Sequence, residues 1–151
     1  MAHIWKPHFT VAAIAERDGR FLCIEEHAED GVRINQPAGH VEAGESPLNA
    51  VVRETLEESA WQFTPQALVG IYQWTVPDGS KTYVRLAFCG QVDGFDAART
   101  LDHGIIRSMW LTRDELHKRR ASHRSPLVLD CVDDYLAGHR LPLNVIRYYP
   151  S

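Results

Sequence analysis

Residues 39–61 read GHVEAGESPLNAVVRETLEESAW, and this stretch decides how the chain is understood. Ser46-Pro47 predicts a helix start, with serine as N-cap and proline at the first helical position. Helical period then continues to about Ser59. At about 100° per residue, Glu54, Glu57 and Glu58 fall within an arc of roughly 100° on one side. Leu48, Val51, Val52, Thr55 and Leu56 take the other side, where a core is expected. Glutamates three or four residues apart repel, destabilising a free helix by about 0.2–0.5 kcal/mol per pair. Arg53 can reach Glu57 one turn on, but one guanidinium does not neutralise three carboxylates. A hard divalent cation with oxygen ligands would; a solvated acidic face is the other reading of the same pattern.

Outward from this helix, the 151-residue chain has the length of a single domain, residues 1–151. Its 44% hydrophobic content supplies one sizeable core, and 24% charged residues argue against extensive disorder. Sixteen Lys and Arg against twenty Asp and Glu leave a net charge of −4, which argues against a protein that works by coating nucleic acid. An anionic small-molecule substrate stays open, because a bound metal supplies positive charge locally. The apolar stretch 11–15 is far too short for a membrane span, and no export signal is visible. Cys23, Cys89 and Cys131 lie far apart and form neither a disulfide framework nor a zinc site, so each is expected as a small buried apolar residue. Together these features predict a cytoplasmic protein with no membrane or nucleic-acid partner.

The remaining elements are expected around a mixed sheet. Runs 9–15 and 20–26 read as a hairpin through Arg17-Asp18-Gly19, and 28–31 as a polar loop. Stretches 67–75 and 83–92 are strand candidates across the turn Pro77-Asp78-Gly79-Ser80. Thr112-x-x-Glu115 opens a short helix, and Ser125-Pro126 another that should end near Gly138.

The spacing Gly39-x5-Glu45-x7-Arg53-Glu54-Thr55-x-Glu57-Glu58-x-Ala60-Trp61 resembles the Nudix box. Five charged positions and the first glycine match. Thr55 stands for an aliphatic residue and Ala60 for a late glycine, departures that bear on packing and helix termination rather than on carboxylates. Further strings resemble the branch of that family containing the phosphatase NudJ: Lys6-Pro7-His8, residues 35–40, Gln73-Trp74 and residues 124–128. That similarity runs from about Lys6 to Tyr149.

The resemblance implies an α/β fold: an α/β/α sandwich around a mixed sheet, with the box as loop–helix–loop. It implies hydrolysis of a phosphoanhydride with Mg²⁺, or alternatively Mn²⁺. Gly39 through its carbonyl, Glu54, Glu57 and Glu58 would hold the ion, with Glu57 and Glu58 as principal ligands. Glu54 would ligate or accept the proton of the attacking water, and Arg53 would orient Glu54 and Glu57. Glu45 would complete the surroundings of the metal or touch substrate.

Trp74 either stacks on a substrate ring or belongs to the core. Arg85 and Arg124 are candidate phosphate contacts, as is Lys81. Asp102 is a candidate additional carboxylate, of the kind related enzymes place in this loop. His123 is the one histidine that stands out, for its place beside Arg124.

The NudJ-like strings point to thiamine diphosphate, its hydroxymethylpyrimidine diphosphate precursor, and nucleoside di- and triphosphates, with orthophosphate released. The alternatives are a pyrophosphatase of the same fold releasing pyrophosphate, and a binding module without turnover. A monomer or small homo-oligomer is expected. Other motifs fall away: Gly39-x4-Gly44-Glu45-Ser46 carries glutamate where a P-loop needs lysine, and His40-Val41-Glu42 has no P-C-x-x-C downstream.

Overall fold

A computed structural model describes residues 2–151. The first hairpin joins β1 (His8–Arg17) to β2 (Arg20–Ala28). Asp18 and Gly19 both take positive φ, 53° and 76°, as a two-residue turn matched to strand twist requires. The expected loop 28–31 shrinks to a two-residue turn, because Ala28 pairs directly with Gly31 at the start of β3 (Gly31–Asn35). A three-residue strand, β4 (Ala38–His40), precedes the box helix α1 (Pro47–Ser59). Then follow β5 (Gln62–Thr75), β6 (Thr82–Asp93) and β7 (Ile105–Thr112). Helices α2 (Arg113–Lys118) and α3 (Leu127–Leu136) complete the order, with single 3₁₀ turns at Arg120–Ser122 and Leu143–Val145.

The sheet is mixed, as expected. β1 runs parallel to β6 and antiparallel to β4, and β5 is antiparallel to β6. β2 diverges from the end of β1 to pair with β3 and β7. Alternation along β1 and β6 sends Val11, Ala13, Leu86 and Phe88 to the face covered by Ala50 and Val51 of α1. Ile14, Ala87 and Cys89 go to the opposite face, covered by Leu127, Val128, Cys131 and Val132 of α3. Helices on both faces of one sheet make the α/β/α sandwich.

Local details depart from expectation in instructive ways. The face of α1 that enters the core is Pro47, Ala50, Val51, Thr55 and Ser59, while Val52 and Leu56 are only half-buried. Small residues there let the helix lie close to the sheet. Thr55 is fully buried, and its hydroxyl donates to the Val51 carbonyl at 2.7 Å, so the polar group is satisfied inside the helix. Ala60 is left-handed, at φ 66° and ψ 14°, and its N–H closes onto the Leu56 carbonyl. A residue with a Cβ occupies the place that usually takes glycine. β5 extends through Pro65, where the pairing shifts register and no ladder N–H is needed.

All three cysteines are buried and unpaired. Burial raises each thiol, Cys23 to about 12. For Cys23 this keeps the thiol protonated well above the range near 8.5 where a free cysteine ionises. A thiol-reactive disulfide reagent at about pH 8 should therefore find no fast-reacting group in the native protein and three after unfolding. Rapid native labelling would contradict this packing.

Candidate active site

The helix start is built as the sequence requires: Ser46 accepts from the Asn49 N–H at 3.1 Å and Pro47 begins α1. This cap sets the direction in which Arg53, Glu54, Glu57 and Glu58 leave the helix, toward β4 at the sheet edge. Gly39 on β4 pairs with Val11, and the carboxyl group of Glu54 occupies the space that a Cβ on Gly39 would fill. Lacking a Cβ, Gly39 lets the carboxyl of this α1 side chain lie directly against the backbone of the edge strand. That use of Gly39 is not evident from spacing, which draws attention to its carbonyl instead.

Arg53 organises the acids. Its Nε and Nη2 donate to the two oxygens of Glu45 at 2.7 and 2.9 Å, a forked pair. Its Nη1 donates to Glu54 Oε1 at 2.8 Å and Glu57 Oε2 at 3.1 Å, and Nη2 also reaches the His40 carbonyl at 3.1 Å. The expected orientation of Glu54 and Glu57 by Arg53 is present as geometry. Glu45, expected near metal or substrate, instead has both oxygens committed to Arg53, and that pairing holds its carboxyl below the ordinary range. The same partners raise Arg53.

Three carboxylates converge. Glu54, Glu57 and Asp102 each bring an oxygen within 4.8 Å of the others. Asp102 comes from the 94–104 connection, tied to the end of α1 at two points: Asp96 N–H to the Ala60 carbonyl, 3.0 Å, and Asp102 N–H to the Glu57 carbonyl, 2.9 Å. Those bonds satisfy helix-end carbonyls and deliver the third acid to its place. Glu58, expected as a principal ligand, lies outside this group of three. Its Oε1 accepts from the Ala38 N–H at 2.8 Å, which leaves its other oxygen the freer one for an ion. Burial drives the Glu58 carboxyl up to about 9 despite that bond, and burial likewise raises Glu54 against the lowering effect of Arg53. A donor set of carboxylate oxygens without sulfur or imidazole suits a hard cation such as Mg²⁺ or Mn²⁺.

Glu54 and Glu58 open into a cleft of about 1310 Å³ on the α3 side of the sheet. Gly39, Glu54 and Glu58 line one end; Trp74, Lys81, Arg85 and Arg124 lie along the rest. Trp74 is half-buried and pairs across strands with Tyr83, ring centres 6.2 Å apart, and Tyr83 stacks on His8 at 5.0 Å. Tyr83 is a cleft aromatic that the sequence did not single out; its register opposite Trp74 is the signal. Arg124 is held by Glu26 at 2.6 Å. His123 also lines the cleft, with Nε2 buried and unpartnered. Arg85 is buried in the cleft floor.

Among the described residues, no helix is long and apolar enough to cross a membrane.

Comparison with known proteins agrees with this architecture. A family model described as the NUDIX domain matches residues 6–131. The phosphatases NudJ of Shigella boydii serotype 4 (strain Sb227) and Escherichia coli (strain K12) are each 34% identical over 143 residues, 95% of this chain and 92% of theirs. A solved NUDIX hydrolase from Nitrosomonas europaea superposes with a TM-score of 0.93 at 48% identity, covering 95% of this chain and 98% of that one. A MutT NUDIX hydrolase from Burkholderia pseudomallei shares the fold, with TM-score 0.73, 20% identity and coverage of 86% and 98%.

Proposed function

The chain belongs to the Nudix hydrolase family, and from that premise we propose that it is a Mg²⁺-dependent phosphatase of organic diphosphates. The observation that carries this reading is the convergence of Glu54, Glu57 and Asp102, with one guanidinium fixing both glutamates and Glu54 lining the end of a cleft with cationic and aromatic walls. Mg²⁺, with Mn²⁺ as the alternative, would be held by these three carboxylates, by the second oxygen of Glu58 and by the Gly39 carbonyl. Such an ion screens phosphate charge and makes water a stronger acid.

The chain's own residues supply the rest. Arg53 fixes Glu54 through Oε1 and leaves Oε2 to ligate or to take the proton of the attacking water. Glu45 locks the other edge of the guanidinium, so Arg53 cannot turn away from the acids. Arg85 and Arg124 face the substrate's anionic part, with Arg124 shared with Glu26. Trp74 and Tyr83 offer an aromatic wall to a ring.

A ring beside a phosphate site suits thiamine diphosphate, hydroxymethylpyrimidine diphosphate and nucleoside di- and triphosphates. The NudJ relatives, named as phosphatases, favour release of orthophosphate. The test is product analysis across these compounds with and without Mg²⁺.

Arg53→Lys probes the clamp. Lysine keeps the charge but cannot bond Glu45 in a fork while also holding Glu54 and Glu57. Turnover should fall by about 10- to 100-fold, the range typical for groups that orient ligands. Steady-state kinetics retaining wild-type kcat would remove Arg53 from this role.

A further inference from the structure

Arg85 sits in the middle of β6 with 6% of its surface exposed. A guanidinium withdrawn from water normally lies against a carboxylate, because an uncompensated buried charge is costly. Arg85 forms no ion pair among the described residues. Its Nη1 donates to Gln36 Oε1 at 2.9 Å and its Nη2 to Asn35 Oδ1 at 3.0 Å, both neutral amides. The amides are themselves fixed. Gln36, 2% exposed, donates Nε2 to the Val128 carbonyl at 2.7 Å, and Asn35 Oδ1 also accepts from the Gln36 N–H at 3.0 Å. The guanidinium is therefore held in one orientation with its charge left over, in the floor of the cleft that Glu54 and Glu58 enter from the end.

Its place in the sheet fits one substrate with the carboxylates. Arg85 pairs with Thr10, and Thr10 with His40 beside Gly39. The two ends of this row are two strand spacings apart, about 10 Å, the scale of an organic diphosphate with its first linking atoms.

We propose that Arg85 forms an anion subsite that binds a phosphate of the substrate without needing the divalent cation, and that Asn35 and Gln36 are positioning residues that must stay neutral. The proposal rests on the diphosphate-hydrolase reading only for the identity of the anion. A carboxylate at either amide position would satisfy Arg85 internally and cancel the attraction.

Asn35→Asp is the discriminating variant, because the structure uses the Asn35 side chain only as an acceptor, and aspartate keeps both bonds. Inorganic pyrophosphate in EDTA is titrated by calorimetry into wild type, Asn35→Asp, Arg85→Met and the double variant. Wild type should bind; Asn35→Asp should bind at least about tenfold more weakly with an unchanged or higher Tm. Adding Asn35→Asp to Arg85→Met should then change affinity by less than about threefold, since the partner charge is already gone. In steady state, Asn35→Asp should raise KM far more than it lowers kcat. No binding by wild type in EDTA, or Asn35→Asp binding within about twofold of wild type, would overturn the subsite. If Arg85→Met does not fold, Asn35→Asp decides alone. Pyrophosphate binding as described, with no diphosphate cleaved in Mg²⁺, would sink the hydrolase reading and leave the subsite standing.

Discussion

Glu57→Gln should lower Mg²⁺-dependent turnover by about 100-fold or more while leaving the fold intact. The carboxylate is one of three oxygen donors drawn within 4.8 Å, and Arg53 fixes it from one side at 3.1 Å. Glutamine preserves volume and keeps one acceptor for Arg53, but removes the charge that a hard cation requires. Losing a direct donor should exceed the 10- to 100-fold range of outer groups. Glu57 is half-buried on the side of α1 away from the core, so Tm should stay near the wild-type value. Asp102→Asn should follow the same pattern, since its oxygen belongs to the same group of three. Initial rates against Mg²⁺ concentration provide the check. Unchanged rates for Glu57→Gln at every Mg²⁺ concentration would contradict the assignment.

Gly39→Ala should be nearly as damaging, for a steric reason. Gly39 does not carry a positive φ, so alanine fits the backbone of β4 without strain. The added methyl, however, falls where the Glu54 carboxyl lies. Glu54 has to move, and it is tied through Oε1 to Arg53. A displacement near 1 Å at a catalytic group can cost about 100-fold in rate. The expected result is a folded protein of near-normal Tm with turnover reduced about 100-fold. A Gly39→Ala enzyme with full activity would show that Glu54 does not need this close approach to the β4 backbone.

The parts of the site that could be read in the sequence are those whose partners lie close in the chain. Ser46 caps α1 three residues away, and Arg53 meets Glu57 one turn on; helix geometry dictates both contacts. Matters decided by sheet register could not be read this way. Arg85 meets Asn35 across 50 positions of sequence, and Asp102 reaches Glu57 through a connection whose backbone bonds are invisible to spacing.

Glu58 lies only about 40° around the helix from Glu54 yet turns to the Ala38 N–H, because the short strand β4 leaves an edge donor there. That strand itself went unread, its three residues AGH lacking any strand-like pattern. β7 was hidden by Arg107 and Ser108, which interrupt its apolar alternation, and the start of β5 by Pro65. A mixed sheet with helices packed on it was legible from the strand, hairpin and helix signals, whereas the sandwich arrangement came from the resemblance of the box.

The most direct measurement is phosphorus NMR of the purified protein with Mg²⁺ and, separately, thiamine diphosphate, GDP and GTP, with EDTA and Glu57→Gln as controls. Orthophosphate should appear from thiamine diphosphate and GDP, and be absent in both controls. Pyrophosphate as the product from GTP, with neither diphosphate cleaved, would contradict the phosphatase reading and favour the pyrophosphatase.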